Sequence, residues 1–590
     1  MSLVSFRGIN VYEPTWQILK AAAHDLAINT PHRLRWLSFV IHAVNSLVLL
    51  PSWMRLRLKY RDDKIVTLVS LLFAVHPLNV QVIGWLSAQG YLYALFFALL
   101  SSISFEHTFG LHPDRAQLGK IDMRQTLYSL LSLFCFFLAC YSKAPAIMLA
   151  PFLLLQSFCI MLESTRNFKS LIAYIIGISL TAAISITQIV VANQESSIGM
   201  ANVGHIDSFQ GRVLRGILIV WNFTTRLFVP SDLRIHYCPG EAILFDTANF
   251  FATKHLSLSQ LRPETAPTLI NQLITPSFLL YIMTATICLS AYGMVCLYMN
   301  DQNSIKIASS WWTYIMFWLP CMGLVSHGWH SLGADRYIYL PMAFAVAPAI
   351  VNALHMYIYH KKHECVTPSD DKIMQFRRRW GFFVLLLYAV VFTLETRRHV
   401  NSWQNDYTIL NACIDADPTD YECHEYLGQF YGHHLQLMDK SKFHLEKALF
   451  YFPRSPQDFK SALVRAHILL VLERKEEACK TITNSFFYAQ SLYENSTLDG
   501  SWIGSFRGSK SPIPLIMNNY VLCQVAYNLT SSHVDLMTPL LQKAYKIMHD
   551  EKNTDGNFIY SQEDRASIAE HLQGVIKWQP GMDYNSIFMW

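Results

Sequence analysis

The stretch "HSLGADRYIYLP", residues 330–341, lies between two long apolar runs and sets Asp335, Arg336, Tyr337 and Tyr339 where one run ends and the next begins. Whether those runs are membrane spans decides the fold. Runs of roughly 16–24 apolar residues recur between Trp36 and Glu395, each near the roughly 20 needed to cross a bilayer as a helix. They stop after Arg397. The composition agrees, since 52% of the 590 residues are hydrophobic and only 15% are charged, unlike an ordinary soluble enzyme. The net charge of +5 is modest and its basic residues sit scattered or in loops, so nucleic acid is not an expected partner. The 12 cysteines show no CxxC pair and no zinc spacing. Cys135, Cys140, Cys159, Cys288 and Cys296 fall inside apolar runs and read as core-like thiols, and no metal site is expected.

The pattern predicts an all-α chain with about ten spans, near 36–54, 65–86, 91–106, 126–142, 145–162, 170–192, 277–299, 309–327, 337–360 and 380–395. Short basic loops stay in the cytosol. Two qualify: Arg55, Arg57, Lys59, Arg61 and Lys64, then Lys361, Lys362, Lys372, Arg377, Arg378 and Arg379. Counting outward from each puts residues 1–35 and the tail after 396 in the lumen. The stretch 212–230, "RVLRGILIVWNFTTRLFVP", then must not cross. Its Arg212, Arg215, Asn222 and Arg226 suit an amphipathic or re-entrant helix on the lumenal side. Three regions follow: a lumenal segment 1–35, a membrane domain 36–396 and a lumenal domain 397–590.

With this topology the polar motifs converge on one face: His76-Pro77, Trp85 to Gly90, Ser142-Lys143, the loop with Arg234, His236 and Tyr237, and the opening stretch. Taken singly, Arg336 reads as a snorkelling cation, His76 as a helix cap, and Tyr337 and Tyr339 as interfacial aromatics. Taken together, ionisable groups at membrane depth point to a polar cavity, because each is costly there. No inverted repeat is visible in the hydropathy pattern, which argues against a transporter.

The tail reads differently. In "YECHEYLGQFYGHHLQLMDKSKFHLEKALFYFP", 421–453, Leu427, Gly428, Tyr431, Ser441, Leu445, Ala448 and Pro453 follow the tetratricopeptide pattern with one extra residue in the turn. Weaker copies fall at Ala462, Ala466, Glu477 and Ala478, and at Ala526, Leu540, Leu541 and Ala544. A short helical solenoid of about three units is predicted, with protein partners as its natural occupants. Asn495-Ser-Thr and Asn528-Leu-Thr are glycosylation acceptors, consistent with a lumenal tail.

In combination, "YEPTW", "IHAVNSLVLL", "LLFAVHPLNVQVIGWLS", "SKAPAIMLAPFLLL", "RLFVPSDLRIHY", "LPCMGLVSHGWHSLGADRYIYLP" and "SWQNDYTILNACIDADP" run in order from about Tyr12 into the repeat at Pro453. In that order the chain resembles the transmembrane and tetratricopeptide-repeat-containing O-mannosyltransferase family, with its bacterial and protist relatives. The resemblance implies a multispanning, GT-C-type transferase of the endoplasmic reticulum membrane with a lumenal carboxy-terminal domain. It implies transfer of mannose from a lipid-linked donor, dolichyl phosphate mannose, to Ser or Thr of lumenal proteins, with the lipid as substrate and no cofactor. Such chemistry needs a carboxylate base for the acceptor hydroxyl and cations for the departing lipid phosphate. Arg336 is the first candidate for the phosphate, with Lys143 and Arg234 beside it. Glu13 and Asp335 are the candidate carboxylates, Asp335 also being placed to orient Arg336. His76, Gln81, Gln89, Tyr237, Tyr337 and Tyr339 are the candidate pocket residues.

The chain also departs from that family. Relatives begin with another span and an acidic lumenal loop, and neither Glu13 nor Asp25 occupies that motif, so an upstream segment is expected to supply it. Asn79 and Gln81 stand where relatives often carry His and Glu; Ala88, Gln89, Gly90 and Tyr91 stand where charges are expected. A neutral amide cannot replace a carboxylate base. The alternative expectation is a catalytically inactive, membrane-anchored scaffold that binds lumenal client proteins through the repeat.

Overall fold

The computed structural model describes residues 13–26, 28, 30–58, 63–109, 123–163, 168–195, 209–230, 233–234, 302–322, 333–359, 368–451, 459–474, 476–478 and 480–481. Among them the chain is helical throughout, without a strand. Among the described residues six segments are long and apolar enough to cross a membrane: Pro31–Leu58, Leu86–Phe109, Met123–Ser142, Lys169–Gln188, Asp335–Ile358 and Met374–Ser402. A multi-pass membrane protein follows.

The amino-terminal helix α1 (Pro14–Asp25) precedes α2 (Pro31–Val44), which starts on Pro31 with Thr30 capping the Arg33 amide. A π turn at Asn45–Leu49 joins α2 to α3 (Leu50–Leu58). The expected span 65–86 is broken. Helix α4 (Asp63–Ala74) ends before His76-Pro77, and the chain resumes, bent by 52°, as Pro77–Gly84, which includes α5 (Val80–Gly84). Proline supplies the reason: it has no amide to donate and pushes the residue before it out of the helical region. His76 is accordingly extended.

Next come α6 (Gln89–Phe109), α7 (Met123–Ser142), α8 (Leu149–Glu163) and α9 (Phe168–Glu195). Small residues let α6 and α7 approach closely, and the Ser101 and Ser132 hydroxyls donate to each other's carbonyls at 2.8 and 2.9 Å. The expected span 145–162 is a shorter apolar helix, Ala144–Phe158. Helix α10 (Phe209–Phe228) covers the stretch predicted not to cross and is absent from the six. Its Arg226 is buried and donates to the Asn222 side chain instead of reaching outward.

Helix α11 (Gln302–Trp318) precedes the opening stretch; the expected span 277–299 and the tail beyond 481 lie outside the described residues. After it, Asp335–Ile338 forms one tight turn, Met342–Val346 a second π turn, and α12 (Ala347–Tyr359) completes the segment. This segment and Leu86–Phe109 are the most enclosed of the six. An aromatic cluster locks them to the rest: the Phe344 ring lies 5.0 Å from Trp53, 5.5 Å from Phe152 and 5.2 Å from Phe317. Outward-facing Ile176, Leu180 and Ile184 on α9 give the bundle the apolar exterior that lipid requires.

Helix α13 (Pro368–Ser402) packs along the bundle through Leu385, Ala389 and Phe392, with Phe383, Leu386 and Val390 exposed on its other face, and leads directly into the tail. There α14 (Asp406–Ala416) begins on a capping box between Asn405 and Thr408. Asp420 caps α15 (Tyr421–His433), which pairs with α16 (Met438–Tyr451); α17 (Phe459–Val471) follows. Leu427, Gly428, Tyr431, Ser441, Leu445 and Ala448 are all buried in this hairpin. A Cβ on Gly428 would lie 2.7 Å from Leu445 Cγ, so glycine sets how closely α15 and α16 approach. Cys413 and Cys423 form a disulfide between α14 and α15 that the reading of the cysteines did not foresee. Among the described residues Cys135 and Cys140, as expected, and Cys321 are buried free thiols.

Candidate functional site

The bend at His76-Pro77 and the turn at Asp335 meet. Gln81, wholly buried on α5, accepts the Arg336 amide at 2.8 Å and so holds the turn. Just before that turn, Gly333 adopts φ +120 against Phe223 of α10, whose Cε2 lies 2.8 Å from where a Cβ would stand. Only glycine fits both the backbone angle and the contact.

This anchoring turns the Arg336 side chain between two rings. Its Cζ lies 4.6 Å from the Trp85 ring centroid and 4.8 Å from that of Tyr337, and Nη2 donates to the Tyr337 hydroxyl at 3.3 Å. Among the described residues no carboxylate pairs with it. The other two candidate cations differ. Lys143 pairs with Glu13 and also lies over the Tyr91 ring, at 5.2 Å. Arg234 donates to Asp417 at 2.5 Å and to the Ala416 carbonyl at 3.3 Å, both side chains of the ion pair being buried. Arg234 therefore ties the chain after α10 to the end of α14.

The Tyr91 and Tyr337 rings are 6.2 Å apart. Glu13, Lys143, Tyr91, Tyr337, Arg336 and Trp85 thus form one continuous row of charge and aromatic faces. Glu13 enters the row at the start of α1, with Oε2 3.2 Å from the point where a Gly90 Cβ would stand. That glycine leaves room for the carboxylate at the beginning of α6, where the helix dipole favours negative charge. The second carboxylate, Asp335, is wholly buried and has Oδ2 3.8 Å from His399 Nε2.

The remaining expected pocket residues turn inward. The Leu78 amide donates to His76 Nδ1 at 3.2 Å, leaving Nε2–H to donate to the Leu227 carbonyl at 3.1 Å, so both ring nitrogens are engaged. Gln89 donates to the Leu34 carbonyl at 3.0 Å and to Ser38 Oγ at 2.7 Å, joining α6 to α2. The Tyr339 hydroxyl donates to His42 Nδ1 at 2.8 Å, since His42 Nε2–H is spent on the Ala74 carbonyl at 3.0 Å. These three hold the bundle together at membrane depth, where lipid offers no hydrogen-bond partner. Tyr237 and His236 lie outside the described residues.

His399 is a residue of the site that the sequence did not single out, and Trp85 and Tyr91 were named within motifs but not as candidate pocket residues. Only the ring contacts of Trp85 and Tyr91 distinguish them from belt aromatics. As to metals, Cys413, Asp420 and Cys423 have ligand atoms within 4.8 Å of one another. The two sulfurs are bonded to each other, so neither offers a thiolate.

No protein-family model, curated protein or solved structure matches this chain.

Proposed function

We propose that this chain is a protein O-mannosyltransferase using dolichyl phosphate mannose, built as a GT-C-type membrane domain with a lumenal tetratricopeptide-like domain in the endoplasmic reticulum. The observation that carries the reading is Arg336. Its guanidinium is clasped between Trp85 and Tyr337 and has no carboxylate partner among the described residues, next to a lysine that already has one. A cation at membrane depth is costly without a counter-charge. A lipid phosphodiester carries one negative charge and supplies it.

The reaction then runs as a single displacement. The acceptor hydroxyl oxygen bonds to C1 of the sugar while the C1–O bond to phosphate breaks and its electron pair leaves on the phosphate, against Arg336. The hydroxyl proton passes to a carboxylate. Glu13 takes that part, because it lies in the same row as Arg336 and exchanges Lys143 for the proton. Neither metal nor cofactor enters this scheme.

The Cys413–Cys423 disulfide supports a lumenal tail, because such bonds persist in oxidising compartments. The close α15–α16 hairpin through Gly428, Ser441, Leu445 and Ala448 supports a tetratricopeptide-like unit for holding acceptor proteins. One observation favours the scaffold reading instead: Glu13 and Asp335 both face internal partners, Lys143 and His399. Radiolabelled mannose supplied as dolichyl phosphate mannose to the full chain in nanodiscs, with Ser/Thr-containing secretory proteins, separates the two. Transfer that disappears in Arg336→Ala with folding retained supports the enzyme; client capture without any transfer supports the scaffold.

A further inference from the structure

The helix that leads from the bundle into the tail, α13, ends against the Arg336 clasp. Thr396 Oγ1 donates to the Val75 carbonyl at 2.7 Å, just before the His76-Pro77 bend. One turn on, His399 Nε2 lies 3.8 Å from Asp335 Oδ2, the residue preceding Arg336. A further turn on, Trp403 Nε1–H donates to His399 Nε2 at 3.3 Å. Trp403 also leans on the other side of the clasp: its Cβ is 3.3 Å from the position a Gly84 Cβ would take, and Gly84 precedes Trp85. Three side chains on one face of α13 and its continuation thus touch each backbone segment from which the clasp is built.

We propose that His399 and Trp403 are positioning residues for Arg336, so that docking of the tail sets the anion-binding geometry of the membrane site. Neither touches the guanidinium. Trp403 bears on Gly84 and so fixes the plane of Trp85. His399, whose Nε2 accepts the Trp403 N–H, packs 3.8 Å from Asp335 Oδ2 and so bounds by contact the turn from which Arg336 projects. A planar cation over an aromatic face depends on that mutual orientation, and tilting Trp85 or shifting the turn removes it. The tail is then a structural part of the site as well as a protein-binding module. This inference rests on the proposed function only for the identity of the anion.

The test reads the clasp and the anion separately. In the full chain in nanodiscs, selectively labelled Arg336 reports the ring current of Trp85 through its side-chain NMR shifts, with no ligand present. Dolichyl phosphate is then titrated. Trp403→Ala is expected to abolish the ring-current shift and weaken binding by about tenfold, the scale of a desolvated cation–π contact. Trp403→Phe, which keeps a ring beneath Gly84, restores both. An unchanged Arg336 shift in Trp403→Ala overturns the proposal whatever the lipid does, as does a lost shift with unaltered affinity where the parent chain binds the lipid. If the parent chain ignores dolichyl phosphate while the Trp403→Ala shift is lost, positioning stands and the donor assignment falls. Trp403→Ala is compared at matched melting temperature, and His399→Gln supplies a second variant where Trp403→Ala misfolds; its shift is expected to move in the same direction.

Discussion

Arg336 was the first candidate for an anion ligand and Arg234 an additional one, and the structure gives the two opposite surroundings. Arg234 meets Asp417 across 183 residues of sequence and closes the junction between α10 and the tail. Arg336 meets two aromatic rings and no carboxylate among the described residues. A buried arginine on a carboxylate is a joint; one on aromatic faces keeps its guanidinium without a counter-charge, which is what the proposed anion site requires.

The largest expected effect sharpens that contrast. Arg336→Ala should lower mannose transfer by about 10²–10³-fold, the loss seen when one oxyanion-stabilising group is removed, while changing the melting temperature little. A matching loss of melting temperature would make Arg336 a joint as well. Asp417→Ala should do the reverse, costing about 3–5 kcal/mol because the buried Arg234 charge loses its carboxylate. Thermal unfolding of the full chain checks this, and replacing both partners with apolar residues should recover much of the loss. A melting temperature unaffected by Asp417→Ala would remove the joint.

Two smaller effects test the tail. Gly428→Ala forces a Cβ against Leu445 Cγ and should cost about 1–3 kcal/mol by overpacking, read as faster amide exchange across α15 and α16. The smallest effect concerns pH. His424 and His444 share a 3.0 Å contact between their Nδ1 atoms. Burial, together with His424 and Lys440, lowers the His444 pKa from 6.5 to about 4. Burial chiefly lowers that of His424 too, with the nearby Lys447 adding to it and the Pro418 carbonyl and Asp417 opposing it. The folded hairpin therefore binds fewer protons than the unfolded one. Its stability should be full above about pH 6.5 and fall as pH drops toward about 4. Amide exchange across 421–451 should rise over that window, and His444→Phe should flatten the rise.

Much of the architecture was legible beforehand. Apolar runs marked several of the spans, and Leu427, Gly428, Tyr431, Ser441, Leu445 and Ala448 marked the face on which two tail helices meet, whereas 65–86 read as one continuous span and is bent at His76-Pro77. The site was legible in part. Arg336, Tyr337, Lys143 and Glu13 do fall in one row, whereas His76, Gln89 and Tyr339 point into the bundle. Polarity alone cannot separate a side chain lining a cavity from one bonded to a carbonyl on the next helix. The disulfide escaped notice because cysteines at 413 and 423 match neither redox nor zinc spacing.

The sequence by itself determined where helices start, bend and end, because those choices depend on neighbours a few residues away: Pro31 and Thr30 at a start, Pro77 at a bend, Asn405 and Thr408 at a cap. Tertiary structure alone decided which charges are neutralised. Glu13 reaches Lys143 across 130 residues, Arg234 reaches Asp417 across 183, and nothing acidic among the described residues reaches Arg336. Coulomb energy depends on distance in space, and distance along the chain does not predict it.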